Sequence, residues 1–402
     1  MRHLIITLLL TLSFYVSAKG SESCLIEPYF KQTETYGNIL LEKERLILDK
    51  DMNELSLLPD IHLGTSQQSN NSKSFKSVDE SGLYIGVSQN IYEGNKFGKN
   101  KERINLELYG KDLLIFDKRN DYIIKLFRDV TDYKYKIDLR DLYKSQLDKQ
   151  NLQIEVSKAQ YESGEIAAIE HEISSHRQKE IFNNINKINE EIIQSEKDIF
   201  AEYHIPSQLI GSINYDMITS CKTESVNHLL AKNRILELDR EKIDYDLNVS
   251  SLKPSVSLSL NVAPPDSGSW NDLNIKKANF GLSVNASVPL SRFFSFSSCK
   301  KKHGLAVAKI NISYDEKQKL FFREKEKVKS KIAELEKSII LTKSKLKLNE
   351  KELDYVLSRF IEKKETILSY YRQLDELEMG KINLKKEERE IEYYKAYLNL
   401  LD

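Results

Sequence analysis

The chain has 402 residues, with 61 basic and 61 acidic side chains, 30% charged and 40% hydrophobic residues and a single Trp. Charge balance leaves no net basic field for nucleic acid, and interleaved charges with only 14 Gly and 7 Pro point to long solvated helices. Beyond the N-terminus, no apolar run reaches the eighteen or so residues that a membrane helix needs, so contact with a bilayer would have to be made by short strands.

The first residues carry a positive end (Arg2, His3), an apolar run over 4–16 and the small-residue exit Val16-Ser17-Ala18. This pattern predicts a secretory signal over 1–18, cleaved after Ala18. Residues 28–58 then show helical spacing (Ile39, Leu40, Ile47, Met52, Leu55) that stops at Pro59. Two alternating runs around a polar loop predict a β-hairpin over 59–92. From 96 to 162 the pattern is helical without a proline, a rod of roughly 100 Å. The stretch QYESGEIAAIE interrupts it at Gly164, and a return helix is expected over 165–203. After a weakly periodic connector, 204–220, the order repeats: a helix from about 221, a β-hairpin over 254–291, a long helix over 300–361 and a return helix over 365–402.

The repeat is a duplication. Pro59 and Pro254 lie 195 positions apart, and the same offset carries Ile61 and Leu63 onto Val256 and Leu258. Past the hairpin loop the offset becomes 199, carrying Leu83, Ile85 and Val87 onto Leu282, Val284 and Ala286. Along the strands Val256, Leu258, Leu260, Leu282 and Val284 alternate with Ser, Asn and Gly, as lipid-facing barrel strands with a wet lumen do. Two hairpins cannot close a barrel alone, and bare edges are not tolerated in lipid, so a membrane reading requires oligomerisation.

With this layout, the segments LLPDIHLGTSQ, VSQNIYEG, AQYESGEIAAIEHE, LLAKNRILELDREKIDYDLNVSSLKPSVSLSL and ASVPLS resemble the TolC-like outer membrane efflux protein family over essentially the whole chain after the signal. The resemblance implies a mainly α fold with a β-barrel portion. Duplicated helical hairpins build a coiled-coil tunnel, and four strands per chain complete a twelve-stranded barrel in a homotrimer. It further implies an outer-membrane location with the helices in the periplasm, a periplasmic adaptor (membrane fusion) protein, and an inner-membrane pump or ABC exporter of a tripartite efflux or type I secretion system. Ile61, Leu63, Leu83, Ile85 and Val87, with the second-hairpin residues named above, would face outer-membrane lipid. Gly164, Glu165, Ile166, Ala167 and Ala168 match the turn that adaptors grip, and Glu170 falls at the family's Asp position. In the second tip Lys363, Lys364 and Thr366 replace the glycine-containing run, and Ser369 replaces the acid.

Three cysteines allow one disulfide and leave one over. Cys24 and Cys221 open short helices at matching places in the two repeats, 197 positions apart, which makes them the candidate pair, with Cys299 near the barrel end. None has metal-ligand spacing, no phosphate-binding loop is present, and the Glu and Lys pairs suit solvated coiled-coil faces, so neither enzyme, cofactor nor metal site is expected. The competing reading is a secreted or periplasmic coiled-coil structural or adhesive protein whose strands form a small soluble head.

Overall fold

The computed structural model describes residues 24–66, 82–221, 224–263, 278–362 and 364–402. The signal segment 1–18, the hairpin loops, Lys363 and the side chains of Leu83 and Phe293 lie outside the described part. The elements are α1 (Glu27–Phe30), α2 (Glu34–Leu55), β1 (Asp60–Ser66), β2 (Gly82–Glu93), α3 (Lys96–Glu162), α4 (Ala168–Tyr203), α5 (Ser207–Ile210), α6 (Tyr215–Ser220), α7 (Val226–Ser250), β3 (Ser255–Ala263), β4 (Asn279–Ser287), a 3-10 turn over Leu290–Ser295, α8 (Phe296–Ile361) and α9 (Ile367–Leu401). No described helix is long and apolar enough to cross a membrane.

Several boundaries differ from the sequence expectations. The first helix is cut in two, because Thr33 accepts from the Tyr36 N–H at 3.3 Å and donates to the Phe30 carbonyl at 2.7 Å, an N-cap geometry that starts α2 afresh. The second short helix begins at Val226 rather than 221, and α8 begins four residues early, at Phe296. The return helices start at Ala168 and Ile367, because Ala167 and Thr366 have extended backbones that cap them.

The chain divides into two compact units. One comprises residues 38–115 and 228–320 and holds the strands. Its sheet has the order β1-β2-β3-β4, antiparallel throughout, with a bulge at Asn90/Tyr92. In α7 the buried positions Leu229, Leu236, Ile243 and Ser250 recur every seven residues, the seam spacing of a left-handed coiled coil. Between β2 and α3 the chain turns through Gly94 and Asn95, both at positive φ (67° and 72°).

The other unit comprises the chain up to Gly37 with residues 116–227 and 321–402. Isoleucines 181, 185, 188, 192 and 199 form the buried stripe of α4, at the alternating three- and four-residue spacing that one helix face requires. The connector over 204–220 is weakly periodic in sequence but well packed: Ile205, Ile210, Ile213 and Ile218 are all buried. Left-handed His204 ends α4 and Pro206 keeps it from resuming. Cys24 and Cys221 are joined by a disulfide with Cα atoms 4.8 Å apart, tying the start of the described chain to the end of this connector. In the same unit, Tyr122 donates to the Tyr203 carbonyl at 2.9 Å, and Tyr203 donates to Asp129 at 2.6 Å. Burial pushes both phenols upward, and it pushes Tyr133 up to about 12.

Candidate functional site

Two regions carry the residues singled out from the sequence: the turns that end the long helices, and the sheet. At the first turn the Gly164 N–H donates to the Tyr161 carbonyl at 2.9 Å, and the Glu165 N–H donates to the Gln160 carbonyl at 2.7 Å. This pair of bonds is the Schellman arrangement, which needs a left-handed residue at Gly164; its φ is 76°. Glu165, Ile166 and Ala167 form the turn itself, Ala168 opens α4, and Glu170 lies half-buried in its first turn, where a carboxylate suits the helix dipole. Nothing lies within 4 Å of where a Cβ at Gly164 would stand, so the glycine serves the backbone and not the packing. Gly164→Ala is expected to destabilise this turn by about 1–2 kcal/mol and to raise limited proteolysis there. Gly211→Ala, at an ordinary φ of −62° with open space around it, serves as a neutral control.

The second turn closes with the bond equivalent to that of Glu165: the Lys364 N–H donates to the Arg359 carbonyl at 2.9 Å, each partner 199 positions on. Lys364 pairs with Glu362 at 2.7 Å. Thr366 is the N-cap of α9, its Oγ1 accepting from the Ser369 N–H at 3.2 Å. Lys363 is outside the described residues.

Behind the turns lies a polar knot that the sequence reading missed. Gln150, only 1% exposed, donates to the Ser174 carbonyl at 2.9 Å and to the Tyr371 hydroxyl at 3.0 Å. Ser174 Oγ is 2.8 Å from the same hydroxyl, and Gln153 reaches Tyr370 at 2.5 Å. Arg177 lies 4.7 Å over the Tyr371 ring and forks onto both oxygens of Asp375, one of them at 3.0 Å. Four helices, α3, α4, α8 and α9, meet around Tyr370 and Tyr371, with Ile173, Leu353, Val356 and Phe360 packed against them. Burial raises the Tyr370 phenol. The sequence carried little signal for it: Gln150 and Ser157 are polar residues one heptad apart on a charged helix, and nothing local marks them as buried.

In the sheet, directly paired residues share a face. Ile61 pairs with Val87 and Leu63 with Ile85; Val87 pairs with Leu260, which pairs with Leu282; Leu258 pairs with Val284, and Val256 with Ala286. All therefore lie on one face, and on it Ile61, Leu63, Leu282 and Val284 are 66–73% exposed. The opposite face carries Ser257, Ser259, Asn261, Ser283 and Asn285, with Ser259 and Ser283 hydroxyls 2.6 Å apart. The backbone of Leu83 pairs with Thr65. Tyr84 lies on the polar face over Gly64, its ring edge-on to His62 over Gly86. Glycines opposite two rings leave them room to lie flat. Among the described residues, no strand pairs with the outer edge of β1 or of β4.

The same layout occurs in solved structures. The outer membrane protein VceC of Vibrio cholerae superposes with a TM-score of 0.69 at 12% identity, with 94% of each chain covered. CmeC, an outer membrane channel of Campylobacter jejuni, gives 0.70 at 9% identity over 94% of this chain and 84% of its own. The Neisseria gonorrhoeae outer membrane channel MtrE gives 0.70 at 10% over 94% and 87%. The fold is that of outer-membrane channels. No family model matches the chain, and no curated protein matches it in sequence. The channel fold accounts for the paired long helices α3 and α8, each ending in a reversed turn, and for a sheet built with one apolar face and two open edges.

Proposed function

We propose that three copies of this chain form an outer-membrane channel-tunnel, the exit duct through which an inner-membrane pump or exporter, coupled by a periplasmic adaptor, expels drugs, ions or secreted polypeptides. The open-edged, two-faced sheet carries this reading. A soluble sheet packed on helices hides its apolar face, whereas here that face is open. Edges bare in one chain are intolerable in lipid and are satisfied only by closure. β1 and β4 run antiparallel, so the β1 edge of one copy can take the β4 edge of the next, and three copies give twelve strands. The helices support the same assembly. Leu41, Leu48 and Leu55 on α2, and Leu341, Leu348 and Tyr355 on α8, are 56–71% exposed at heptad spacing, the form of seams awaiting partner helices.

On this reading the apolar face meets lipid, the Ser- and Asn-rich face lines water, and the chain acts by providing a path, with transport energy supplied by its partners. Gly164 to Ala168, Glu170, Lys364 and Thr366, with Lys363, form the adaptor-docking tips, braced from behind by the Tyr371 knot. Face parity gives the test. Leu282→Arg places three charges in the bilayer, at about 2–4 kcal/mol each near its midplane, and is expected to abolish trimers in detergent-extracted membranes. Ser283→Arg, one residue along and lumen-facing, is expected to leave assembly intact. Equal tolerance of both substitutions would sink the barrel.

A further inference from the structure

A second membrane-directed feature lies in the segment joining β4 to α8. The register places the starts of β1 and β3 and the ends of β2 and β4 at one end of the sheet, the end from which the helices leave. There Val288, Leu290, Phe294 and Phe296 are 48, 71, 90 and 41% exposed, continuing the open apolar run of Phe280, Leu282 and Val284 along β4. Past Ser297, Ser298 and Cys299, within one helical turn, come three consecutive exposed lysines, Lys300, Lys301 and Lys302, and Arg292 adds a fourth exposed cation, its Nη1 3.1 Å from the Ser251 carbonyl.

Elsewhere on α8 the exposed lysines stand apart from one another along the chain, and three of them, Lys327, Lys329 and Lys343, pair with Glu324, Glu326 and Glu388. Among the described residues no carboxylate pairs with Lys300, Lys301 or Lys302, and the first turn of α8 holds no acid. Two acids of α7 are otherwise engaged, Glu241 by His303 and Asp246 by Lys99, each at 3.1 Å. Apolar and aromatic side chains running straight into an unmatched cationic cluster, in line with a lipid-facing strand, form the two-part pattern of an interfacial anchor. The rings and Leu290 enter the acyl boundary while the lysine stems reach headgroup phosphates.

We propose that residues 288–302 form a belt selective for anionic phospholipid headgroups in the leaflet at the helix end of the sheet. The inference rests on the outer-membrane reading above. The test is native mass spectrometry of the detergent-extracted full-length protein titrated with phosphatidylglycerol and, in parallel, with phosphatidylcholine, after fractionation of the membranes. The expected result is a preference for phosphatidylglycerol that falls by about fivefold for each lysine removed, so that K300Q/K301Q/K302Q loses most of it. K300R/K301R/K302R, which keeps the charge, is expected to retain it. A glutamine variant that assembles in the membrane and still selects phosphatidylglycerol like the parent would overturn the belt alone. Absence of the parent protein from the membrane fraction would overturn the outer-membrane reading itself, and the belt with it.

Discussion

Cys221→Ser is expected to lower the stability of the unit containing the helix turns by about 4–5 kcal/mol, the loss expected when a cross-link closing a very long loop is removed. The Cys24–Cys221 bond spans 197 residues of chain, so the unfolded state gains much freedom when it is absent. Burial adds to the effect: Cys221 is 1% exposed, so the serine hydroxyl would be placed in a site closed to water. Chemical denaturation followed by circular dichroism checks this, with Cys24→Ser giving the same loss and Cys299→Ser, a free half-buried cysteine, giving little. Reductant should bring the parent protein to the level of the serine variants and leave those variants unchanged. Coincident denaturation curves for parent and Cys221→Ser would remove the staple from the account.

Gly94→Ala is the second large effect, about 3 kcal/mol or more. Two penalties coincide there. The residue has φ 67°, where a Cβ meets the neighbouring backbone, and an added Cβ would stand 2.3 Å from the Ser250 carbonyl oxygen, a main-chain atom that cannot rotate aside. Ser250 ends α7 ahead of β3, and Gly94 lies in the turn between β2 and α3, so one substitution pries apart two strand–helix junctions. Contrast Gly110, where the added Cβ would meet Arg240 Nη2 at 2.5 Å and the buried Leu236 Cδ2 at 3.0 Å; both are side-chain ends and not main-chain atoms, and Gly110→Ala is expected to cost less than Gly94→Ala. Yield of folded protein and thermal unfolding of the two variants, side by side, measure the difference.

The sequence made the element types legible because each has a strong local signature. Seven-residue spacing along α7 and strict alternation along β3 need no tertiary information to be read. The duplication was legible too, and its offset of 199 carries the Glu165 to Gln160 turn bond onto that of Lys364 to Arg359. What stayed hidden depends on non-local partners. Pairing of β2 with β3 joins segments more than 160 residues apart, and no local pattern specifies it. The close approach of Ser250 to Gly94 joins segments more than 150 residues apart and leaves no local mark either. The Gln150–Ser174–Tyr371 knot draws on three helices, and its polar members disrupt the hydrophobic period on which sequence reading relies. The connector was obscured for another reason: of its buried isoleucines, Ile210 and Ile218 lie in helices of four and six residues, too short to show a period, and Ile205 and Ile213 lie outside them.

The central claim is that this chain closes a barrel and a tunnel only as three copies. Negative-stain electron microscopy of protein extracted in detergent from the membrane fraction tests it most directly. A hollow, three-fold cylinder longer than about 100 Å is the predicted result. A monomer, or a solid rod recovered without membranes, would contradict it and favour the coiled-coil structural protein instead.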